Sequence, residues 1–287
     1  MPSAIIARID IDAYNLSLEV NYLNSLQKIP ESYDEFGQGY WKNISLYNST
    51  GEPGNTLYQI ASACRPTPHL ASCPEINRLI LDNFRLDNLK MVRARSLIDG
   101  MVIPHRDFVE LDNLDRYLRL FVPLENNREA FHSDESGVFQ MKAGEVWFLD
   151  AGINHAAINF SCKSRMFLCL DFVISVDAEQ ASVLLQTAKT LLPCERSNIR
   201  RQALTPKDIE ETIHAAAKII SRRTLKDLIF ALSKYHFTYD IPILACYDWI
   251  IDAALLAGDR DTAEKARSLK RYLVEHRHLN ERFTING

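Results

Sequence analysis

The sequence of 287 residues lacks the features that mark several specialised classes of protein. Its 33 basic and 37 acidic residues give a formal net charge of −4, which is too weak and too evenly spread to predict a nucleic-acid partner. Hydrophobic residues make up 47% and charged residues 24%, a balance far from that of disordered chains. It contains no internal repeat and no low-complexity tract. A globular protein with a substantial hydrophobic core is therefore expected.

Cysteine motifs, a leader peptide and a membrane span are also missing. The six cysteines form no CxxC pair and no zinc-knuckle spacing with histidine, so buried reduced thiols are favoured over a structural zinc site. The N-terminus has no basic segment followed by a sustained apolar run. The apolar stretch Ile241–Ala257 is interrupted by Asp248 and Asp252 and is too short and polar to span a bilayer. We therefore expect a cytoplasmic protein that does not enter the membrane.

The first two thirds of the chain are dominated by short apolar runs separated by turn residues. Ile5–Leu26 is typical of a strand followed by a helix, Trp41–Asn48 alternates like a strand, and Pro74–Phe84 has helical spacing. Several further short strands predict a sandwich or jelly roll rather than βαβ units. These strands are Leu89–Leu97, Gly100–His105, Tyr117–Leu124, Val138–Met141, Glu145–Leu149, Ala156–Phe160 and Arg165–Val176.

The last third changes to helical periodicity. Thr205 and Pro206 are typical of an N-cap and a first helical residue, and acidic residues fill the turn that follows. We predict helices at Asp208–Ser221, Thr224–Tyr235, Ile243–Leu256 and Asp261–Leu279, and a linker at Val183–Pro206. The chain then divides into a β domain at 1–182, with N-terminal helices, and a helical region at 205–287. The aromatic segment Leu232–Tyr239 is interpreted as a packed helix, with a lid over a site as the alternative.

One constellation has the pattern of a metal site. His105 and Asp107 stand two residues apart, which places both side chains on one face of a strand. His155 follows the strand-like run VWFLD and supplies a third candidate ligand. Two histidines and one carboxylate form the facial triad of non-haem Fe(II) oxygenases, which leaves coordination positions open.

Arg165 lies ten residues beyond His155, at the start of an apolar run. Its guanidinium can pair bidentately with a carboxylate, which makes it a candidate anchor for 2-oxoglutarate. Under the alternative interpretation, His105 and Asp107 form a surface ion pair, His155 caps a turn and Arg165 is a solvated strand residue.

Four longer stretches resemble bacterial free-proline hydroxylases, within the aspartyl/asparaginyl β-hydroxylase-like group of Fe(II)/2-oxoglutarate-dependent dioxygenases. The stretches, which together cover much of the chain, are Tyr33–Gly51, Met101–Asp112, Phe131–Ser161 and Leu232–Asp240. The resemblance implies a mainly β double-stranded β-helix (a cupin-like jelly roll) with a helical C-terminal region. It also implies that His105, Asp107 and His155 bind iron and that Arg165 binds 2-oxoglutarate.

Further positions in similar stretches are candidates for a substrate pocket, which needs a cation for the carboxylate of a free amino acid and an acceptor for its ammonium group. These candidates are Arg93, Arg95, Arg119, His132, Asp134 and Trp147. The alternatives are a surface pair for Arg93 and Arg95, a turn at His132 and Asp134, and a core position for Trp147.

The resemblance implies hydroxylation of free L-proline at C3 in the cis sense. Fe(II) would be the bound cofactor, 2-oxoglutarate and O₂ would be consumed, and succinate and CO₂ would be released. The alternatives are hydroxylation at C4 or of another free amino acid such as pipecolate, hydroxylation of a peptide or protein, and a non-catalytic jelly-roll binding protein. A homodimer contact through the helices stays undecided.

Overall fold

A computed structural model describes residues 2–56, 58–59, 63–107, 117–175, 177–185, 188–194, 196–278 and 281–286. Eleven described strands form one curled antiparallel sheet, which confirms the predicted jelly-roll fold class. The strands are β1 (Ala4–Arg8), β2 (Gly37–Asn48), β3 (Arg65–Pro66), β4 (Leu89–His105), β5 (Tyr117–Pro123), β6 (Ala130–Asp134), β7 (Gly137–Phe139), β8 (Glu145–Phe148), β9 (His155–Asn159), β10 (Met166–Val173) and β11 (Lys189–Cys194).

The sheet order is β11-β1-β8-β5-β10-β4-β9-β6-β7, and β2 pairs with β3 and β4. Strand β4 is long enough to have different partners along its length: its first half pairs with β10 and its second half with β9. Strand β2 runs beside both halves of β4. This arrangement brings the C-terminal end of β4 to the start of β9.

Two separate strands were predicted at Leu89–Leu97 and Gly100–His105, but the structure has one continuous strand, β4, across both. Strand β4 continues through Asp99 (φ 41°) and Gly100 as an irregularity opposite Gly39 (φ 79°). A side chain at Gly39 would lie 2.0 Å from the Asp99 carbonyl oxygen, so only glycine fits this close approach. The turn-like residues therefore mark a bulge inside a strand rather than its end.

Two further segments differ from expectation. The predicted linker Val183–Pro206 contains strand β11, which pairs with β1 at the edge of the sheet. The segment with His132 and Asp134, for which a turn was the alternative, forms strand β6 between β7 and β9. Neither segment alternates cleanly between apolar and polar residues, so the sequence pattern did not predict a strand. The strand conformation of each segment depends instead on pairing with distant strands.

Seven described helices accompany the sheet: α1 (Ser17–Ser25), α2 (Pro68–Ala71), α3 (Pro74–Asn83), α4 (Pro206–Ala217), α5 (Leu225–Thr238), α6 (Ala245–Leu256) and α7 (Arg260–Lys270). The Thr205 hydroxyl accepts a hydrogen bond from the Asp208 N–H, which confirms the predicted start of α4. Helix α7 is shorter than the predicted Asp261–Leu279 and continues as a π turn at Arg271–Glu275. No described helix has the length and apolarity needed to cross a membrane.

Two large apolar clusters pack against different parts of the sheet. One joins the N-terminal helices to β2, β4, β5 and β10. The other joins α4–α7 to Met101, Ile103, Ala156 and Ile158 of β4 and β9. Helix α5 buries Leu232 and Phe237 in the second cluster, as the packed-helix interpretation expects. Because β4 and β9 also carry candidate metal ligands, the C-terminal helices form the backing of the site. The division at 182 and 205 stays a prediction.

Candidate active site

The two histidines of the predicted triad are neighbours across two paired strands. His105 is the last residue of β4, His155 is the first residue of β9, and the two are opposite each other in the register. Residues directly opposite on adjacent strands point to the same face of the sheet. The imidazole ring centroids are 4.2 Å apart. Strand pairing therefore brings together two side chains that are 50 positions apart in the sequence.

Asp107 completes the group just beyond the end of β4. Its N–H donates to the Ala151 carbonyl (2.9 Å), which holds the residue next to the turn before β9. The Asp107 carboxylate lies 3.7 Å from His105 Nε2 and 4.0 Å from His155 Nε2. One ligand atom from each of the three residues lies within 4.8 Å of the others, a separation suited to one metal ion.

The protonation states of the histidines also suit a metal. His105 Nδ1 lies 2.8 Å from the Ile103 carbonyl and His155 Nδ1 lies 2.9 Å from the Ile153 carbonyl. A carbonyl only accepts, so each Nδ1 carries the proton and each Nε2 presents a lone pair. Burial, together with the neighbouring His155, lowers the pKa of His105 to about 3, and burial lowers the pKa of His155. Both rings are therefore neutral at pH 7, as metal ligation requires.

The carboxylate ligand is held by a buried arginine. Burial alone would raise the pKa of Asp107, but Arg119 and the two histidines hold it well below its usual range. Arg119 Nη1 donates to Asp107 Oδ2, and Arg119 Nε donates to Asp171 Oδ1 (2.9 Å). The guanidinium thus connects two carboxylates and orients one of them. Two neutral imidazoles and one ionised carboxylate fit a divalent transition-metal ion such as Fe(II).

Arg165 and His132 form a donor pair that lies in the same cavity. Arg165 Nη2 donates to His132 Nδ1 (2.8 Å), so His132 must carry its proton on Nε2. Arg165 Nη1 and His132 Nε2 are both buried and have no hydrogen-bond partner among the described residues. Burial, with help from the nearby Arg95, lowers the pKa of Arg165 to about 9. Two unpartnered donors in a water-poor site provide a fit for a ligand carboxylate.

The triad and the donor pair of Arg165 and His132 face one cavity of about 500 Å³, within the usual range for small-molecule sites. Its lining includes the predicted residues Arg93, Arg95, Arg119, His132 and Arg165 as well as the triad. Arg93 donates to Asp171 (2.6 Å) and so shares that carboxylate with Arg119. Arg95 contacts the Trp41 and Phe121 rings at 5.6 and 5.8 Å, and no described carboxylate pairs with it.

Asp134 and Trp147 are not among the described residues that line this cavity. Arg196 binds the Asp134 carboxylate with two guanidinium nitrogens, and the Ser3 N–H also donates to it. The Trp147 indole N–H donates to Glu145 (2.9 Å), and its ring stacks on Phe139. These contacts give both residues structural partners outside the cavity lining.

Several residues in or beside the cavity were not predicted as site residues from the sequence. Asp171 lies within β10 and gathers Arg93, Arg119 and the Tyr117 hydroxyl (2.5 Å) around its carboxylate. An acidic residue in the apolar run MFLCLDFV was an available signal for it. Glu31 and Asn43 also line the cavity. Glu31 carries no sequence signal, and Asn43 lies inside a strand that was predicted only as a structural element.

Comparisons with known proteins agree with this geometry. The family model described as aspartyl/asparaginyl β-hydroxylase matches residues 7–174, and the model described as L-proline 3-hydroxylase, C-terminal, matches residues 182–281. The chain is 38% identical to L-proline cis-3-hydroxylase 1 of Streptomyces sp over 99% of both chains, and 36% identical to L-proline cis-3-hydroxylase 2 of Streptomyces sp over 100% of both. It is 28% identical to L-proline cis-4-hydroxylase of Rhizobium meliloti (strain 1021) over 99% of this chain and 100% of that one. The resemblance predicted from the sequence is confirmed.

Proposed function

Because the chain belongs to the aspartyl/asparaginyl β-hydroxylase family, we propose that it hydroxylates free L-proline at C3 in the cis sense with Fe(II), 2-oxoglutarate and O₂. The observation that best supports this proposal is a His–Asp–His group that shares one cavity with the unpartnered donors of Arg165 and His132. A metal site alone would suit many enzymes. A metal site beside a buried carboxylate site suits a chelating keto-acid co-substrate with a second, distal carboxylate.

His105, Asp107 and His155 would hold the iron, and Arg119 positions Asp107. When bound, Fe(II) and 2-oxoglutarate supply an oxidant made from O₂, with succinate and CO₂ as co-products and one oxygen atom transferred to the substrate. Arg165 and the neutral His132 would bind the distal carboxylate of 2-oxoglutarate through Nη1 and Nε2. None of these residues has to act as a general base.

The substrate carboxylate is assigned to Arg95. Arg93 and Arg119 already pair with Asp171, and Arg165 lies beside His132. Of the two other arginines that line the cavity, Arg277 lies over the Tyr272 ring (5.2 Å) and Arg282 is exposed. Arg95 is half-buried beside the Trp41 and Phe121 rings, where a carboxylate would supply a counter-charge that no described residue provides. An anchored carboxylate fixes which ring carbon of the substrate faces the metal, and that placement decides the regiochemistry.

The first test is turnover by the purified protein with Fe(II), 2-oxoglutarate and O₂ on a panel of free amino acids and on aspartate- or asparagine-containing peptides. We expect cis-3-hydroxyproline and an equal amount of succinate from L-proline, identified by mass and by chromatography against hydroxyproline standards. A cis-4 product, hydroxylated pipecolate or a hydroxylated peptide would each replace the leading assignment. The relative that is named a cis-4-hydroxylase makes the first of these the nearest alternative.

His155→Ala tests the ligand assignment in the same assay. We expect turnover to be lost while the circular dichroism spectrum of the fold is retained. His214→Ala is the matched control, because His214 lies on the exposed surface of α4 with 55% of its side chain accessible. Full activity of His155→Ala would contradict the proposed iron site.

A further inference from the structure

The cavity wall next to Arg95 carries two hydrogen-bond acceptors that the proposed reaction has not used. Asn43 on β2 is directly opposite Arg95 on β4 in the strand register. Side chains in directly opposite positions have Cβ atoms about 5 Å apart. Glu31 lies beside Asn43, since Asn43 Nδ2 donates to Glu31 Oε2 (2.9 Å). Both residues line the cavity.

Each of these side chains has one oxygen left over. Glu31 Oε1 and Asn43 Oδ1 are buried and have no hydrogen-bond partner among the described residues. The bond from Asn43 Nδ2 to Glu31 also fixes which end of the Asn43 amide is the carbonyl. A buried carboxylate oxygen without a donor is unfavourable, because it has lost its water without replacement. Among the described lining residues, Glu31 is the carboxylate that lies outside the metal triad.

We infer that Glu31 and Asn43 bind the ammonium group of the substrate and select a cyclic secondary amino acid. This inference rests on the proposed function and adds the half of the substrate site that Arg95 leaves open. The nitrogen of proline carries two N–H donors at neutral pH, and this wall offers two acceptors. In an α-amino acid the ammonium and the carboxylate are attached to the same carbon, and Asn43 and Arg95 are likewise adjacent across the strands.

Glu31 also has a structural role, and the test must separate the two. It caps a short 3-10 turn at Ser32–Phe36: its side chain accepts from the Asp34 N–H, and the Asp34 side chain accepts from the Glu31 N–H (3.0 Å). Asp34 also pairs with Lys28 (2.7 Å). Asp34→Asn therefore weakens the same turn without removing a carboxylate from the cavity lining, and it is the matched control.

The experiment compares L-proline with tetrahydrofuran-2-carboxylate, in which the ring nitrogen is replaced by oxygen. Binding of each compound is measured by calorimetry under nitrogen to the protein loaded with Fe(II) and 2-oxoglutarate, so that no turnover occurs. We expect the wild type to prefer proline by about 10- to 100-fold, the range for a hydrogen bond to a charged group. Glu31→Gln should lose most of that preference and bind the oxygen analogue within about threefold of the wild type, and Asn43→Ala should lose about two- to tenfold.

Asp34→Asn should keep the preference of the wild type. The inference is overturned if Glu31→Gln keeps the preference for proline, if it weakens both compounds equally, or if Asp34→Asn reproduces its effect. If the wild type binds neither compound, the proposed function itself is contradicted. That outcome is distinct from the one in which Glu31→Gln keeps the preference for proline, which contradicts the role of Glu31 alone.

Discussion

The buried basic side chains around the cavity differ in how well they are compensated. Arg93 and Arg119 share the carboxylate of Asp171, and burial is outweighed by these arginines so that the pKa of Asp171 stays well below its usual range. Among the described residues, Arg165 donates to the neutral His132 and lies over the Phe167 ring (4.6 Å), with no carboxylate beside it. Its pKa is lowered to about 9 by burial and by Arg95. A buried cation without a counter-charge is unfavourable until an anion binds. This difference separates the arginines that have a carboxylate partner in the protein from the one proposed to bind 2-oxoglutarate.

Arg165→Met should therefore affect the co-substrate more than the fold. We expect the half-saturating concentration of 2-oxoglutarate to rise about 10- to 100-fold, because a bond to a charged group is lost. The free energy of unfolding of the ligand-free protein should not fall, since the cation that is removed had no counter-charge. Initial rates at varied 2-oxoglutarate and denaturant unfolding measure the two quantities.

Arg93→Met provides the opposite case. It removes one of the cations around Asp171, and we expect a loss of about 3 kcal/mol in the free energy of unfolding. The two variants therefore separate a structural arginine from a proposed ligand-binding one. For Arg165→Met, an unchanged 2-oxoglutarate saturation curve would mean that another residue holds the co-substrate.

At the scale of elements, the C-terminal helices stabilise the strand end that carries the triad. The Tyr247 hydroxyl on α6 donates to the Pro104 carbonyl (2.5 Å), one residue before His105. The Arg106 N–H, between the two β4-side ligands, donates to the Leu273 carbonyl in the π turn (2.9 Å). These contacts restrain the backbone of the motif. The helices therefore restrain the proposed metal-binding motif by packing.

Tyr247→Phe tests this support. Loss of one buried hydrogen bond should lower the free energy of unfolding by about 1 kcal/mol. Because the motif backbone is then less restrained, we also expect weaker Fe(II) binding, by less than the tenfold or more that loss of a direct partner of a ligand causes. Anaerobic Fe(II) titration and denaturant unfolding give both values.

Tyr235→Phe is the control, because Tyr235 packs against Trp249 in the same helical core, away from the motif. If Tyr247→Phe lost stability but kept the Fe(II) affinity of the wild type, the helices would contribute to folding alone.

At the scale of the whole molecule, buried neutral histidines make the stability depend on pH. Burial lowers the pKa of His236 in the helical core to about 4, although its bond from Nδ1 to the Ile241 carbonyl (2.9 Å) acts in the opposite direction. The unfolded chain takes up this proton near pH 6.5, before the folded protein does. The contribution to stability is therefore present above pH 6.5 and is lost as the pH falls towards 4.

His236→Gln should flatten this part of the pH profile. The pKa difference corresponds to at most about 3 kcal/mol between pH 6.5 and pH 4. Denaturant unfolding of the metal-free protein at several pH values measures how steeply the free energy of unfolding changes with pH. The cavity histidines contribute to this slope with the same sign in the wild type and in His236→Gln. His214→Gln, on the exposed surface of α4, is the matched control for the loss of a histidine. An identical slope in His236→Gln would show that His236 is protonated equally in both states.

The sequence by itself determined the local elements and the identity of the candidate ligands. The helix start at Thr205, the helix at Pro74–Asn83 and most strands depend on local periodicity and capping, which neighbouring residues decide. The pattern of His105, Asp107 and His155 was readable because residue type limits metal chemistry.

The tertiary structure alone decided which side chains meet. The pairing of β4 with β9 places His105 opposite His155, and the pairing of β2 with β4 places Asn43 opposite Arg95. The strand character of Lys189–Cys194 likewise depends on its distant partner β1. Hydrogen bonds and counter-charges from distant strands also determine which arginines pair with a carboxylate of the protein and which have none beside them. Such pairings join residues far apart in the chain, so no local pattern in the sequence encodes them.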